Sequence, residues 1–433
     1  MSHKSIPTEK YKRTAITAVT TAKIGLKHAV YLSKKTLSST ANTQQKNQQH
    51  EEDIGKTVFA ALTQLRGTAL KIAQMMSLEL DMLPEGIRAE LGKACHRVTP
   101  LNRAHIRKVY LAEFNTVPEK VFAQFEPDAF AAASLGQVHK AVSPDSHPLA
   151  VKIQYPGIAA SIKSDVQLVR GIMKSISLST SYLPRWEIIE NVLDGVQKQL
   201  EKEVDYTQEA DNTRWFSENF KIPNVRIPSV YFQFSSKRIL TTEHITGKHL
   251  DQWLAENPDQ TLRNHYGQLL FDMFCYQLHE LNVLHADPHP GNFLICDDGS
   301  IALIDFGCIQ HLAPGYPGTV TRLFTRDRQQ IYQAYKGLGI ISDNLSFDEF
   351  TDDVFPVIKS MHTWMSAPGL RKTFNFAELP PLPQKTLSQM KKPVKAINSI
   401  RQDQVYFDRS YFGLLSILRK MKVEIDTTKL LHP

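Results

Sequence analysis

The chain has 433 residues, of which 42% are hydrophobic and 22% charged, as expected for a globular protein with a sizeable core. This length predicts two or three domains, or one large domain with extensions. The net charge of +7 is uneven, because residues 1–50 hold eight lysines and one arginine against one glutamate. The rest of the chain is close to neutral, which argues against a nucleic-acid-binding face, so no nucleic-acid partner is expected.

The sequence contains no run of about 18 apolar residues, so no transmembrane segment is predicted. Its four cysteines form no C-x-x-C pair and no metal-binding spacing. No secretory signal is visible either, and a reduced, cytoplasmic compartment is therefore expected.

Residues 1–53 predict a basic arm followed by a polar linker. Four apolar residues recur at helical spacing among the lysines of the arm: Ile16, Val19, Leu26 and Val30. This pattern is typical of a helix that lies on an anionic membrane surface, which makes the arm of residues 1–50 a candidate for peripheral attachment. A helix packed on the main domain and an organelle transit peptide are the alternatives. Residues 38–53 are polar without apolar periodicity and predict the linker.

Residues 54–115 predict a helical extension, with one long amphipathic helix from Ile54 to about Glu79 and more helix to about Phe114. The pattern then changes to short strands. Val121–Phe125 and Leu149–Ile153 each favour a strand, and Ala131–Ala141 favours a small-residue loop that runs into another strand. A lysine on the third strand, Lys152, completes the order of a kinase N-lobe, in which that lysine holds the nucleotide phosphates.

The remaining chain is predicted to be largely helical. Helices are expected over residues 160–220, two short strands over Val225–Thr242, and apolar core helices over Gln260–Leu284 and Tyr411–Leu418. Residues 314–433 carry no motif to which chemistry can be assigned.

One segment carries most of the chemical information: His285–Asn292 reads HADPHPGN, and Leu303–Gly307 reads LIDFG. Asp287, Asn292 and Asp305 follow the Asp, Asn and Asp spacing of a kinase active site. Phosphoryl transfer needs a carboxylate that orients the attacking group and oxygen ligands that hold magnesium.

A transition-metal cluster is the alternative use of this segment, because His285 and His289 flank Asp287 and histidine is a common ligand. Pro288, Pro290 and Gly291 exclude a helix, so the helical H-E-x-x-H zinc arrangement cannot form. A phosphotransferase-like site is favoured, with the two histidines shaping the loop around Asp287.

Five motifs together resemble the UbiB/ADCK (AarF) family of atypical protein-kinase-like proteins over about residues 55–310. They are AAASLGQVH from Ala131, EVDYTQEA from Glu203, KIAQ from Lys71, HADPHPGN and LIDFG. Ala73 departs from the family, which usually has Gly in its K-x-G-Q motif.

The resemblance implies an α+β, two-lobed protein-kinase-like fold with an N-terminal helical extension and a helical C-terminal tail. The implied kinase-like domain covers residues 116–320, with an N-lobe over about 116–245 and a C-lobe from about 246. Residues 54–115 form the extension and residues 321–433 the helical C-terminal part.

The resemblance also implies roles for individual residues. Asp287 and Lys152 are the catalytic candidates, and Asn292 and Asp305 would hold magnesium. Lys152 would pair with Glu209 and touch the phosphates. The implied nucleotide-binding residues are Ala131, Ala132, Ala133, Ser134, Lys152, Glu209 and Glu243. The implied regulatory residues are Lys71 and Gln74 on the extension, with Lys71 facing Glu203 and Asp205.

The function implied is that of an atypical kinase or ATPase that binds ATP or ADP with Mg²⁺ and supports isoprenoid-quinone (ubiquinone) or other lipid biosynthesis. A prenyl lipid or quinone precursor is the implied second ligand. Alanines in place of a glycine-rich loop should hold the nucleotide differently, and the family's N-terminal helix covers the place where a protein substrate would dock. Both points favour ATP hydrolysis or a small or lipid-like acceptor over a protein acceptor. The alternatives are a phosphotransferase of the aminoglycoside or choline kinase type and a nucleotide-gated, non-catalytic scaffold.

Overall fold

The structure is a computed structural model that describes residues 10–35, 43–65, 68–79, 102–133, 135–179, 186–383 and 401–431. It mixes helices and sheets, which confirms the predicted α+β class. The chain divides into two compact units. The first unit consists of residues 1–208 and 231–242, and the second of residues 209–230 and 243–433.

Helices and strands are numbered in chain order among the described residues. The α-helices are α1 (Lys10–Lys35), α2 (Thr43–Leu65), α3 (Thr68–Glu79), α4 (Arg103–Phe114), α5 (Pro118–Val121), α6 (Ile158–Ser179), α7 (Trp186–Glu203), α8 (Tyr206–Asn219), α9 (Leu250–Ala255), α10 (Gln260–Tyr276), α11 (Tyr316–Val320), α12 (Arg328–Gly337), α13 (Phe347–Glu349), α14 (Phe355–Ser366) and α15 (Gln402–Met421). The strands are β1 (Gln124–Phe125), β2 (Ala131–Ala133), β3 (Gly136–Val142), β4 (Pro148–Gln154), β5 (Val225–Arg226), β6 (Ile239–Glu243), β7 (Lys248–His249), β8 (Val283–His285), β9 (Phe293–Ile295), β10 (Ile301–Leu303), β11 (Ile309–His311), β12 (Thr373–Asn375) and β13 (Glu424–Asp426).

The first unit contains a five-stranded sheet in the order β1-β3-β4-β6, with β2 paired to β3. β3 and β4 are antiparallel, and their register sets Val138 opposite Lys152. Alternate residues of β4, Val151 and Ile153, are fully buried against Tyr110 of α4. The period-2 alternation therefore leaves Lys152 on the opposite face from this core.

A second core in the same unit lies among helices α1, α2, α3, α6 and α7. Ile24, Ile54, Ile72, Val166 and Leu193 are each fully buried there. The linker prediction for residues 43–53 is wrong, because helix α2 begins at Thr43. Their glutamines, lysine and glutamates are good helix formers, and polarity alone did not reveal this.

Three further boundaries differ from the sequence prediction. Of the predicted 121–125 strand, only Gln124–Phe125 is assigned as strand β1, because the short helix α5 that begins at Pro118 runs to Val121. The predicted loop at Ala131–Ala133 is strand β2, whose three alanines pair with β3. The predicted long helix from Ile54 is instead two helices, α2 and α3, and residues 66 and 67 lie outside the described residues.

The second unit has a four-stranded sheet in the order β5-β10-β9-β7 and the strand pairs β8/β11 and β12/β13. Its core is rich in aromatic residues, among them Phe216, Phe271, Phe306, Phe407 and Tyr411, all fully buried. The predicted core helices at 260–284 and 411–418 correspond to α10 and α15, but α10 ends at Tyr276. Residues 277–281 continue as a π-helical turn, and residues 283 and 284 begin strand β8.

Candidate active site

Asp287 and Asn292 form a hydrogen-bonded unit in the loop between β8 and β9. The Asn292 Nδ2 amide donates to the Asp287 backbone carbonyl at 2.9 Å and to Asp287 Oδ2 at 3.0 Å. Because the amide nitrogen is held by Asp287, the carbonyl oxygen is the end of Asn292 that can serve as a metal ligand. Asp287 and Asn292 are thus brought together in one loop, while their predicted roles stay predictions.

His285 and His289 contact the backbone of this region rather than forming a metal cluster. The His285 Nε2 atom lies 2.7 Å from the backbone oxygen of Asp305, which can only accept, so His285 donates there. His289 Nδ1 accepts from the Gly291 N–H at 3.0 Å. The two rings therefore shape the loop, and the His285 bond joins the two sequence motifs.

The Asp305-Phe306-Gly307 turn is fixed on both sides within the second unit. Asp305 Oδ1 accepts from the Gly307 N–H at 3.0 Å. Phe306 is fully buried, and its ring centroid lies 5.1 Å from that of Phe216 on α8. The Asn212 Nδ2 of the same helix donates to the Phe306 carbonyl at 3.0 Å.

Glu209, also on α8, is buried beside this turn. Its side chain is 5% exposed, and a Cβ placed on Gly307 would lie 3.8 Å from Glu209 Oε2. The predicted pairing of Glu209 with Lys152 stays a prediction, since Lys152 belongs to the first unit.

Lys152 lies over an aromatic ring that sequence reasoning did not single out. Its Nζ is 5.0 Å from the ring centroid of Tyr206, and Gln154 Nε2 donates to the Val204 carbonyl at 2.9 Å. Gly136 on β3 lies close to the backbone of β4 and to the Tyr206 hydroxyl: a Cβ there would be 2.4 Å from the Ile153 oxygen and 2.9 Å from Tyr206 Oη. The EVDY segment thus contacts β3 and β4, and the glycine permits this close approach.

The alanine-rich motif divides into a strand and a buried polar pair. The backbone of Ala131–Ala133 pairs with β3, and Ser134 lies outside the described residues. Gln137 Nε2 and His139 Nε2 are 2.7 Å apart, and both side chains are buried. Burial lowers the pKa of His139, which keeps the ring neutral. The second half of the motif therefore stabilises the sheet.

The predicted proximity of Lys71 to Glu203 is confirmed. Lys71 Nζ lies 3.5 Å from Glu203 Oε2, and the two side chains are 16% and 15% exposed. Asp205 instead lies 3.7 Å from Lys237 Nζ and accepts from the Thr207 N–H at 3.2 Å. Helix α3 continues through Ala73, while the side chains of Ala73 and Gln74 lie outside the described residues.

Glu243, a predicted nucleotide-binding residue, has its carboxylate engaged by an arginine. Glu243 Oε1 accepts from Arg226 Nη2 at 2.8 Å. Its side chain therefore stabilises the loop around β5, and its predicted nucleotide contact stays a prediction.

Sequence reasoning missed an arginine that contacts Asp287. Arg409 of α15 donates from Nη2 to Asp287 Oδ1 at 2.7 Å. The two side chains are 27% and 35% exposed. The sequence offered no signal for this contact, since Arg409 lies two residues before the predicted apolar window Tyr411–Leu418.

The oxygen atoms of Asn292 and Asp305 fit magnesium better than a transition metal. Across the described ranges, no group of three or more His, Cys, Asp or Glu side chains is arranged to hold a metal ion. Magnesium commonly takes one or two protein oxygens and completes its shell with phosphates and water. Asn292 and Asp305 would supply those protein ligands.

Comparisons with known proteins identify a kinase-like family. The family described as the ABC1 atypical kinase-like domain matches residues 93–335. This range includes the predicted site residues from Ala131 to Asp305, whereas Lys71 and Arg409 lie outside it.

Two curated relatives carry kinase names. The chain is 30% identical over 65% of its length to the probable serine/threonine-protein kinase abkA of Dictyostelium discoideum, covering 52% of that protein. It is 29% identical over 69% of its length to the chloroplastic protein ACTIVITY OF BC1 COMPLEX KINASE 3 of Arabidopsis thaliana, covering 42% of that protein. The match thus spans about half the length of these relatives or less.

A solved structure has the same fold. The Mycobacterium tuberculosis protein Rv3197, in its complex with erythromycin, superposes with a TM-score of 0.63 at 24% sequence identity. The superposition covers 90% of this chain and 98% of that one. Together with the matched domain, this confirms the predicted kinase-like fold.

Proposed function

Because the chain belongs to the ABC1 atypical kinase-like family, the UbiB/ADCK family that its motifs resemble, we propose that it binds ATP or ADP with Mg²⁺ and transfers or hydrolyses the terminal phosphoryl group. One observation carries this proposal: Asp287 and Asn292 are hydrogen-bonded to each other, and His285 joins their loop to the backbone of Asp305. A carboxylate, an amide oxygen and a second carboxylate are thereby held in one hydrogen-bonded region.

Each of these residues has a distinct part in the proposed reaction. Asp287 orients the attacking hydroxyl or water, so that its oxygen points at the terminal phosphorus. Asn292 and Asp305 supply oxygen ligands, and bound magnesium would neutralise charge on the phosphates. Lys152 would add positive charge on the nucleotide.

We propose water or a small, lipid-like molecule as the acceptor, in support of isoprenoid-quinone or other lipid biosynthesis. The backbone of Ala131–Ala133 is paired with β3, which supports a phosphate contact unlike that of a mobile glycine loop. The Lys71–Glu203 ion pair supports a helical extension held on the kinase-like core. The lipid itself is inferred from the family resemblance.

Thermal unfolding with Mg-ATP or Mg-ADP tests nucleotide binding. The melting temperature should rise by several degrees when nucleotide is at about 100 times its Kd. Asp305→Asn should abolish that rise, because it removes a metal-binding charge. Asp298→Asn is the matched control, since Asp298 lies on an exposed turn with Ser300, and it should keep the rise. A wild-type protein that nucleotide does not stabilise would refute the proposal.

We also propose that α1 attaches the protein to an anionic membrane surface. Among the described residues, no helix is long and apolar enough to cross a membrane. Ile24 packs inward, whereas Val19, Leu26 and Val30 are 53%, 68% and 44% exposed. An exposed apolar strip on a lysine-bearing helix suits insertion at a lipid interface.

Co-sedimentation with cardiolipin-containing vesicles tests this attachment. Leu26→Glu should weaken vesicle binding at least about fivefold, because a carboxylate resists burial among anionic headgroups. The control is Leu262→Glu, at an apolar residue that is 44% exposed on α10. Equal losses in the two variants, or none in either, would argue against α1 as the attachment site.

A further inference from the structure

The Asp287 carboxylate is held at both of its oxygens. Asn292 Nδ2 donates to Oδ2 at 3.0 Å, and Arg409 Nη2 donates to Oδ1 at 2.7 Å. The Asn292 contact comes from within the same loop. The Arg409 contact comes from α15, 122 residues further along the chain.

We infer that Arg409 is a further positioning residue of the active site, and that helix α15 completes the catalytic loop by fixing the orientation of the Asp287 carboxylate. This inference rests on the proposed phosphoryl-transfer function. It extends the site beyond the kinase-like domain matched at residues 93–335. The helical tail, to which the sequence assigned no chemistry, then carries a functional residue.

Helix α15 is docked on the loop at more than one point, which distinguishes this pair from a chance surface ion pair. Ser410 Oγ lies 3.3 Å from the His285 carbonyl oxygen, one residue along from Arg409. Gly413, one turn later, packs so closely on Pro288 that a Cβ there would lie 2.3 Å from Pro288 Cγ. These contacts place the Arg409 backbone firmly beside Asp287.

The chemistry of arginine suits positioning and excludes proton transfer. A guanidinium keeps its proton at every pH at which the protein is folded, so Arg409 cannot relay a proton from Asp287. A charge-assisted hydrogen bond of this length fixes the carboxylate more firmly than a neutral one. Asp287 must point one oxygen at the attacking group, and errors of about 1 Å in such an alignment can cost about a hundredfold in rate.

The test uses the full chain and the variants Arg409→Gln and Arg409→Lys. The control is Lys420→Gln, which removes a cation of the same helix that pairs with Asp251 at 2.6 Å in solvent. One measurement is ATP turnover as a function of Mg-ATP concentration. The other is amide hydrogen exchange of the 286–292 segment, which reports loop order whether or not turnover is detected.

If Arg409 positions Asp287, Arg409→Gln should lower kcat about 10- to 100-fold while leaving the KM for Mg-ATP within twofold. Exchange of residues 286–292 should become faster, and Arg409→Lys should recover part of both losses. Lys420→Gln should change neither measurement.

Unchanged exchange in Arg409→Gln would overturn the inference, and so would a kcat equal to or above that of the wild type. If the wild type shows no turnover, the exchange measurement decides alone. Failure of the proposed function is recognised separately, as a wild-type protein that Mg-nucleotide does not stabilise.

Discussion

Two helices outside the matched kinase-like region each bring a cation to an acidic motif residue, and the two contacts differ in kind. Lys71 of α3 lies 3.5 Å from Glu203, with side chains 16% and 15% exposed. Arg409 of α15 lies 2.7 Å from Asp287, with side chains 27% and 35% exposed. The Lys71 contact is a longer and less exposed ion pair. The Arg409 contact is a short hydrogen bond to the carboxylate that we propose orients the attacking group.

The difference indicates different purposes. The Lys71 contact joins α3 to the end of α7, and the apolar residues Ile72 and Met76 already bury α3 in the helical core of the first unit. Losing it would loosen a helix that has other attachments. The Arg409 contact acts on an atom of the proposed reaction, so its loss should appear in catalysis first. Three substitution experiments test whether the two contacts differ in this way.

Gly413→Val should have the largest effect. Its side chain would overlap Pro288, since even a Cβ would lie 2.3 Å from Pro288 Cγ, so α15 must shift away from the catalytic loop. We expect a loss of about 3 kcal/mol in the free energy of unfolding, together with reduced turnover. Chemical denaturation measures the first quantity and an ATPase assay the second.

Gly195→Val is the matched control, because it puts the same side chain on a helical glycine with no atom within 4 Å of the added Cβ. It should change stability by less than about 1 kcal/mol. Equal stability of the two variants would mean that α15 does not depend on this contact.

The two contacts also differ in how far the sequence predicted them. Lys71 and Glu203 were paired because both belong to short motifs that resemble one family, and the structure places them together. Asp287, Asn292 and Asp305 were recognised from local spacing. Arg409 was not recognised, because a contact between a helix and a distant loop depends on tertiary packing, and hydrophobic periodicity does not report which side chains meet there.

The fold shows the same limit. Helices with strong apolar periodicity, such as α10 and α15, were predicted correctly. The polar sequence at the start of α2 favours a linker, although His50 stacks on Tyr31 of α1 with ring centroids 4.2 Å apart. The alanines of β2 favour a loop in the sequence, because their strand identity comes from pairing with β3 rather than from their own propensity.

Asp408→Asn, on α15, should have an intermediate effect on the free energy of unfolding, and this effect should depend on pH. Burial raises the pKa of Asp408 to about 7, and the hydrogen bond from Gln404 at 2.7 Å offsets this only in part. The unfolded chain loses this proton near pH 4, whereas the folded protein keeps it to about pH 7. The free energy of unfolding should therefore fall as pH rises from about 4 to 7.

An asparagine carries no titrating proton, so Asp408→Asn should flatten this fall and make the protein more stable than wild type at pH 8. Tyr316 and Tyr335 face the same carboxylate, and burial keeps both phenols neutral in this pH range. Denaturation at a series of pH values measures the effect, and Asp403→Asn on the same helix should keep the wild-type slope. A pH dependence unchanged in Asp408→Asn would show that Asp408 is ionised in the folded protein.

The smallest effect is expected for the Lys71–Glu203 pair, measured by a double-mutant cycle with Lys71→Met and Glu203→Gln. Both substitutions remove a charge and keep the length of the side chain. The coupling free energy should be about 1 kcal/mol, because a lysine at 3.5 Å makes a weak hydrogen bond and its side chain is partly solvated. Each single variant should retain the nucleotide-induced rise in melting temperature. A coupling near zero would mean that the two side chains lie close together without stabilising the protein. A value above about 3 kcal/mol would mean that the docking of α3 depends on this ion pair, as we propose that the orientation of Asp287 depends on Arg409.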